Sequence, residues 1–109
     1  MKLVIIESPY AGNIEQNTEY GRACVRDSLE RGEAPIASHL LYTQPGILRD
    51  EIKEERWWGI NAGLAWCRVA ELTAVYADNG ISDGMKDGIK AAKKAGVPVE
   101  HRYIRGAAE

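Results

Sequence analysis

The sequence predicts an α/β fold, a small doubly wound parallel sheet of four strands in the order 2-1-3-4. Three observations predict it. Four short apolar runs alternate with three stretches of helical periodicity. The first run, Leu3-Val4-Ile5-Ile6, is continuously apolar, as in a strand covered on both faces. Polar and glycine residues gather where the runs end. A β-α-β-α-β-α-β order implies parallel pairing, helices on both faces and right-handed crossovers. The ligand crevice of such a sheet lies beyond the carboxyl ends of strands 1 and 3, where the winding reverses.

Each element has a local reason. After the first strand, Ser8-Pro9-Tyr10-Ala11-Gly12-Asn13 reads as a loop. Asn13 followed by Gln16 is a capping-box spacing, so a helix starts near Ile14. Cys24, Val25 and Leu29 form its predicted inner face, and Gly32 its left-handed cap. Ala34 to Ser38 is a short second strand with Pro35 at its tolerated start, and His39 closes it. His39 to Asp50 reads as irregular, with Gln44-Pro45-Gly46 as a turn. From Glu51 to about Ala70 the pattern is helical, with Trp57, Ile60, Leu64 and Cys67 as the predicted core stripe.

Leu72-Thr73-Ala74-Val75-Tyr76 is the third strand, ended by Ala77-Asp78-Asn79-Gly80. Ser82 or Asp83 caps a third long helix with Met85, Ile89 and Ala92 inward. Lys86, Lys90, Lys93 and Lys94 read as its solvated face. Gly96 ends it, and Val97-Pro98-Val99-Glu100 begins the last strand. One domain is expected over residues 1–105, with 106–109 as a tail.

Composition bounds the function. The chain has 109 residues, 45% hydrophobic and 28% charged, as expected of a globular domain. Its net charge of −2 argues against nucleic acid as the main partner. No apolar run approaches the ~18 residues of a membrane span. Met1 to Glu7 turns acidic too soon for a signal peptide, so a cytoplasmic location is expected. Cys24 and Cys67 lack metal-ligand spacing and read as small buried thiols in a reducing compartment. His39 and His101 stand apart, so neither a metal nor a cofactor is expected. Trp57 and Trp58 point about 100° apart on a helix. Trp57 fits the core stripe and Trp58 fits a subunit contact, which makes a homo-oligomer the expectation.

The strand ends supply the candidate ligand contacts. Glu7, Ser8, Tyr10, Gly12 and Asn13 follow strand 1, Ser38 and His39 follow strand 2, and Asp78, Ser82, Gly84 and Met85 follow strand 3. The loop from Ser8 to Asn13 runs into a helix N-terminus, a combination that favours an anionic group. Tyr10 adds a π-face and a hydroxyl. The turn from Asp78 to Met85 lacks the Gly-Lys-Ser/Thr ending of a P-loop and the spacing of a dinucleotide fingerprint. Its Ser82 and Gly84 suit a phosphate, and its Asp78 suits a sugar or base.

These residues carry a resemblance. Val4 to Gly12 with Asn17 and Ala23, Pro35 to His39, and Ser82-Asp83-Gly84-Met85 with Ala91 and Ala92 resemble the nucleoside 2-deoxyribosyltransferase-like superfamily. Its fold is Rossmann- or flavodoxin-like. The stretch from Ser38 to Gly46 is similar to a branch of small phage and actinobacterial proteins. The resemblance implies a pocket for a nucleotide-derived small molecule, with Ser8, Tyr10, Gly12 and Asp78 at the ligand. Enzymes of the superfamily break an N-glycosidic bond with a glutamate nucleophile at the start of the helix after the third-strand turn. Here Gly84-Met85 is followed by Lys86-Asp87-Gly88, with no glutamate. Asp87, Asp78 and Glu7 are the candidate carboxylates for a glycosidase or transferase. A binding protein that kept the pocket without the nucleophile is the leading reading.

Overall fold

The computed structural model describes residues 1–105; the tail expected at 106–109 lies outside them. One four-stranded parallel sheet runs in the order β2-β1-β3-β4, with β1 Leu3–Glu7, β2 Ala34–Ile36, β3 Leu72–Tyr76 and β4 Val99–Arg102. β1 is central because its apolar residues need cover on both faces: Val4, Ile5 and Ile6 are all buried. Its register against β3 sets Ile6 opposite Ala74 and Glu7 opposite Val75.

Side-chain alternation divides the core into two layers. On one face Val4, Ile6, Ala74 and Tyr76 pack with Tyr20 and Cys24 of α1, Ile14–Glu30. On the other face α4, Asp83–Lys94, covers β1, β3 and β4, with Met85 and Ala92 buried. The Asn13 side chain accepts from the Gln16 N–H and starts α1. Gly32, at φ +81°, ends the following turn, a conformation that favours glycine.

The inner face of α1 keeps two of its three predicted residues: Cys24 is buried and Val25 packs against the core, while Leu29 is exposed and Tyr20, Gly21 and Ser28 turn inward. Gly21 turns inward because Leu40 and Ser8 lie close: a side chain there would meet both. Ser28 is tolerated there because its hydroxyl donates to Glu33.

Strand 2 is also shorter than predicted. It stops at Ile36, and Ser38–Leu41 form a short helix, α2, so His39 lies on a helix rather than closing a strand. The Leu40 and Leu41 N–H groups bond to the Ala37 carbonyl, turning the chain back over the sheet edge. The third helical stretch is α3, Lys53–Ala65, with a 3-10 turn over Trp66–Arg68. Its predicted core stripe is overturned. Trp57 is the more exposed of the adjacent tryptophans, and Ile60 and Leu64 are exposed too. The reason is steric. Gly59 and Gly63 give α3 its close inward side, where Gly63 meets Ser38. Cys67 is only half-buried, against the expectation, whereas Cys24 is fully buried. Val97 belongs to the turn before β4, its N–H bonding to the Ala92 carbonyl.

A buried ion network locks β4. The Arg102 guanidinium donates to both Glu33 oxygens at 2.7–2.8 Å and to the Tyr76 hydroxyl at 3.1 Å. The Tyr76 hydroxyl donates to Asp27. Strand β4 is thereby tied to α1 and to the loop entering β2. Among the described residues no helix is long and apolar enough to cross a membrane.

Candidate functional site

The carboxyl ends of β1 and β2 bring four of the sequence candidates together. Ser8, immediately after β1, is buried, and its Oγ lies 2.7 Å from His39 Nε2. α2 carries His39 to that position, which strand geometry would not have done. Burial pushes the His39 imidazole down to about 4, so the ring is neutral at pH 7. A neutral imidazole has one donor and one acceptor nitrogen; Ser8 engages one and leaves the other. The ring of Tyr10 meets that of His39 edge-on, with centroids 6.4 Å apart at 74°.

Tyr10, Ser38 and His39 line a cavity of about 120 Å³ together with Tyr42, Gly59 and Ile60. Drug-sized ligands occupy roughly 300 Å³ or more, so this cavity suits one ring of a larger molecule. Asp50, Glu55 and Arg56 add charge to its wall, with Arg56 Nε 4.0 Å from Asp50. The loop before α1 is shaped by Asn17, whose side-chain amide donates to the carbonyls of Tyr10 and Ala11 at 3.0 Å. Gly12 has φ +100°, which lets the chain turn sharply into the Asn13 cap.

Glu7 points under α4. Its carboxyl fills the space beside Gly88, where any side chain would overlap it. Burial alone pushes Glu7 up to about 8, with no cation or donor offsetting it. Cys67 is close enough for the Glu7 charge to raise its thiol, after burial. Glu7 does not line the Tyr10–His39 cavity.

The remaining candidates sit apart. The Asp78 carboxylate accepts from the Tyr20 hydroxyl at 2.6 Å and from the Ile104 and Arg105 N–H groups at 3.0–3.1 Å. Burial acts to raise its pKa, yet those donors hold it below the ordinary carboxylate range. Ser82 caps α4 by accepting from the Met85 N–H, and the Met85 sulfur faces the Ser82 N–H at 3.4 Å. Gly84 and Asp87 are exposed on the first turns of α4. Among the described residues no group of three His, Cys, Asp or Glu side chains could hold a metal.

The chain matches a family model described as a domain of unknown function, DUF7768, over residues 2–102. It belongs to the DUF7768 family. No curated protein matches it. A solved structure similar to this DUF7768 chain is the 2-deoxyribosyltransferase of the psychrotolerant bacterium Bacillus psychrosaccharolyticus, at TM-score 0.66 and 17% identity. The match covers 98% of this chain and 76% of that one. At that identity the likeness is one of fold, and it agrees with the doubly wound order of the DUF7768 sheet.

Sequence reasoning missed other residues of this site. Gly59 and Arg56 reach the cavity from the segment read as a helix with a core stripe. Gly88 gave a signal: glycine inside a helix costs roughly 1 kcal/mol against alanine, so a close neighbour was to be looked for.

Proposed function

We propose that this DUF7768 chain binds a nucleotide-derived small molecule at the carboxyl ends of β1 and β2, as a sensor, carrier or sequestering protein. The observation that carries the reading is the neutral His39, fixed by Ser8 opposite Tyr10 in a ring-sized cavity. The free imidazole nitrogen and the tyrosine hydroxyls would read a base or sugar edge, and the aromatic faces would stack on it. An anionic group would lie toward Gly12, Asn13 and the start of α1. Ser82, Gly84, Met85 and Asp78 would frame the far end of the crevice. The likeness of fold to a deoxyribosyltransferase supports the nucleoside class. In this reading residues 1–105 act as one cytoplasmic unit, akin to the small phage and actinobacterial branch of that superfamily.

Titration calorimetry against nucleosides, nucleoside monophosphates and ADP-ribose tests it. One class should bind at micromolar levels, and Tyr10→Ala or His39→Ala should weaken it about tenfold, the loss of one good contact. A panel without any binder sinks the reading.

One observation favours a second reading, an N-glycosidic hydrolase or transferase. Glu7, held protonated near neutral pH at the β1–β3 switch point, would have to swing its carboxyl out from beside Gly88 to give its proton to a leaving base while water or an acceptor base attacks the anomeric carbon. Asp87 is the exposed alternative, and Asp78 is engaged by its three donors. Free base released by the native chain, and lost in Glu7→Gln with ligand binding intact, would establish this reading.

A further inference from the structure

The charged side chains on the cavity wall are Asp50, Glu55 and Arg56. Glu55 is already occupied: its carboxylate accepts from the Arg49 N–H at 2.9 Å and lies 3.6 Å from the Arg49 guanidinium. That bond folds the turn before α3 back onto the start of the helix and sets Asp50 beside Arg56. The two side chains stand 4.0 Å apart, with Arg56 61% and Asp50 44% exposed. An N–H···O hydrogen bond spans about 2.7–3.2 Å, so neither group uses the bonding capacity of the other. Among the described residues no hydrogen bond holds either side chain.

A carboxylate offers acceptors only, and a guanidinium offers donors only. Side by side on a cavity wall they present an acceptor next to a donor. The complement is a planar ring edge with an N–H or amino group beside a ring nitrogen or carbonyl oxygen. Nucleobases carry that pattern on the edge they use for pairing. The rest of the wall suits a ring. The cavity of about 120 Å³ is lined by the aromatic and apolar surface of Tyr10, Tyr42, Leu48 and Ile60. A phosphate is poorly matched there, because the wall carries two carboxylates against one guanidinium, and His39 is neutral at pH 7.

We infer that Asp50 and Arg56 read the pairing edge of a nucleobase, Asp50 accepting from its N–H or amino group and Arg56 donating to the adjoining nitrogen or carbonyl. This rests on the nucleotide-ligand reading of the cavity and gives that ligand an orientation. The ring enters with its edge toward the start of α3, and the sugar and any phosphate stay outside. A ring without a free edge leaves both charged groups unpaired against it, and a site built around such bonds rejects the analogue that cannot make them.

Titration calorimetry on the full chain tests this with matched, uncharged ligands. Adenosine and cytidine are compared with their forms dimethylated on the exocyclic amine, and guanosine and uridine with their forms methylated on the ring N–H. The parent that binds best should lose at least about tenfold in affinity on methylation. Asp50→Ala and Arg56→Ala should each weaken the parent and bring the two affinities to within about twofold, a ratio that a purely structural role does not move. The methylated series on the native chain decides the matter should a variant not fold. Equal affinities for parent and methylated nucleosides overturn the inference and leave the binding reading standing. A nucleoside monophosphate that weakens in Arg56→Ala but is indifferent to methylation of its base also overturns it, by giving Arg56 to the phosphate. No binding by any parent sinks the binding reading, and this inference with it.

Discussion

The carboxyl group of Glu7 occupies the space that a side chain at Gly88 would need. The two residues lie 81 positions apart, on the central strand and on the helix that covers it. Gly88 therefore sits where it does for packing, and its helix-interior glycine is explained by a neighbour that a linear reading does not show.

Gly88→Ala should destabilise the fold by about 1–3 kcal/mol, the usual range for overpacking, despite alanine's better helix propensity. In a Glu7→Ala background the same substitution should be neutral or stabilising, by up to about 1 kcal/mol. Urea unfolding of the four chains in the cycle measures the coupling. Additive effects would contradict the packing account.

Glu7 also predicts a pH dependence. Its carboxyl is raised from 4.5 to about 8 by burial. Between those values the folded chain holds a proton that the unfolded chain has lost, so this group's contribution to stability falls as pH rises from about 4.5 through 8. The decline should be on the order of 4–5 kcal/mol. Glu7→Gln should flatten it, measured by urea midpoints from pH 5 to 9.

His39 has the opposite sign. Its pKa is lowered from 6.5 to about 4 by burial. Its stabilising contribution is complete above 6.5 and is lost as pH falls through about 4. The ring-proton NMR signals of His39 should stay flat from pH 8 to 5.5 and move only nearer 4. An inflection at the ordinary value would contradict the burial of the ring.

Arg102→Ala should cost about 3–5 kcal/mol, because it strands Glu33 without its buried partner. Replacing both, as Arg102→Met with Glu33→Leu, should recover most of that loss. Thermal melts of the single and double variants check it. Equal losses in the two would show that β4 needs the charges themselves.

Asp78→Asn should lower the melting temperature more than it lowers ligand affinity. The Asp78 carboxylate already takes hydrogen bonds from Tyr20, Ile104 and Arg105, and charged hydrogen bonds are each worth roughly 1.5–3 kcal/mol. A large affinity loss with unchanged melting would place Asp78 at the ligand instead.

What the sequence determined by itself is the sheet and its two long capped helices. The order 2-1-3-4 follows from alternating apolar runs and crossover handedness, both local and chemically strict. Asn13, Gly32, Ser82 and Gly96 mark their helix ends because capping depends on a few adjacent residues. Tertiary structure alone decided the rest. The pattern of Trp57, Ile60 and Leu64 is that of a core face, because periodicity records that a face is apolar and not what covers it. His39 meets Ser8 across 31 positions only because the chain turns into α2 after Ile36. Glu7 lies under α4 because strand alternation fixed its face and Gly88 left room. Those outcomes depend on which surfaces come together, and surfaces from distant segments meet only in the folded chain.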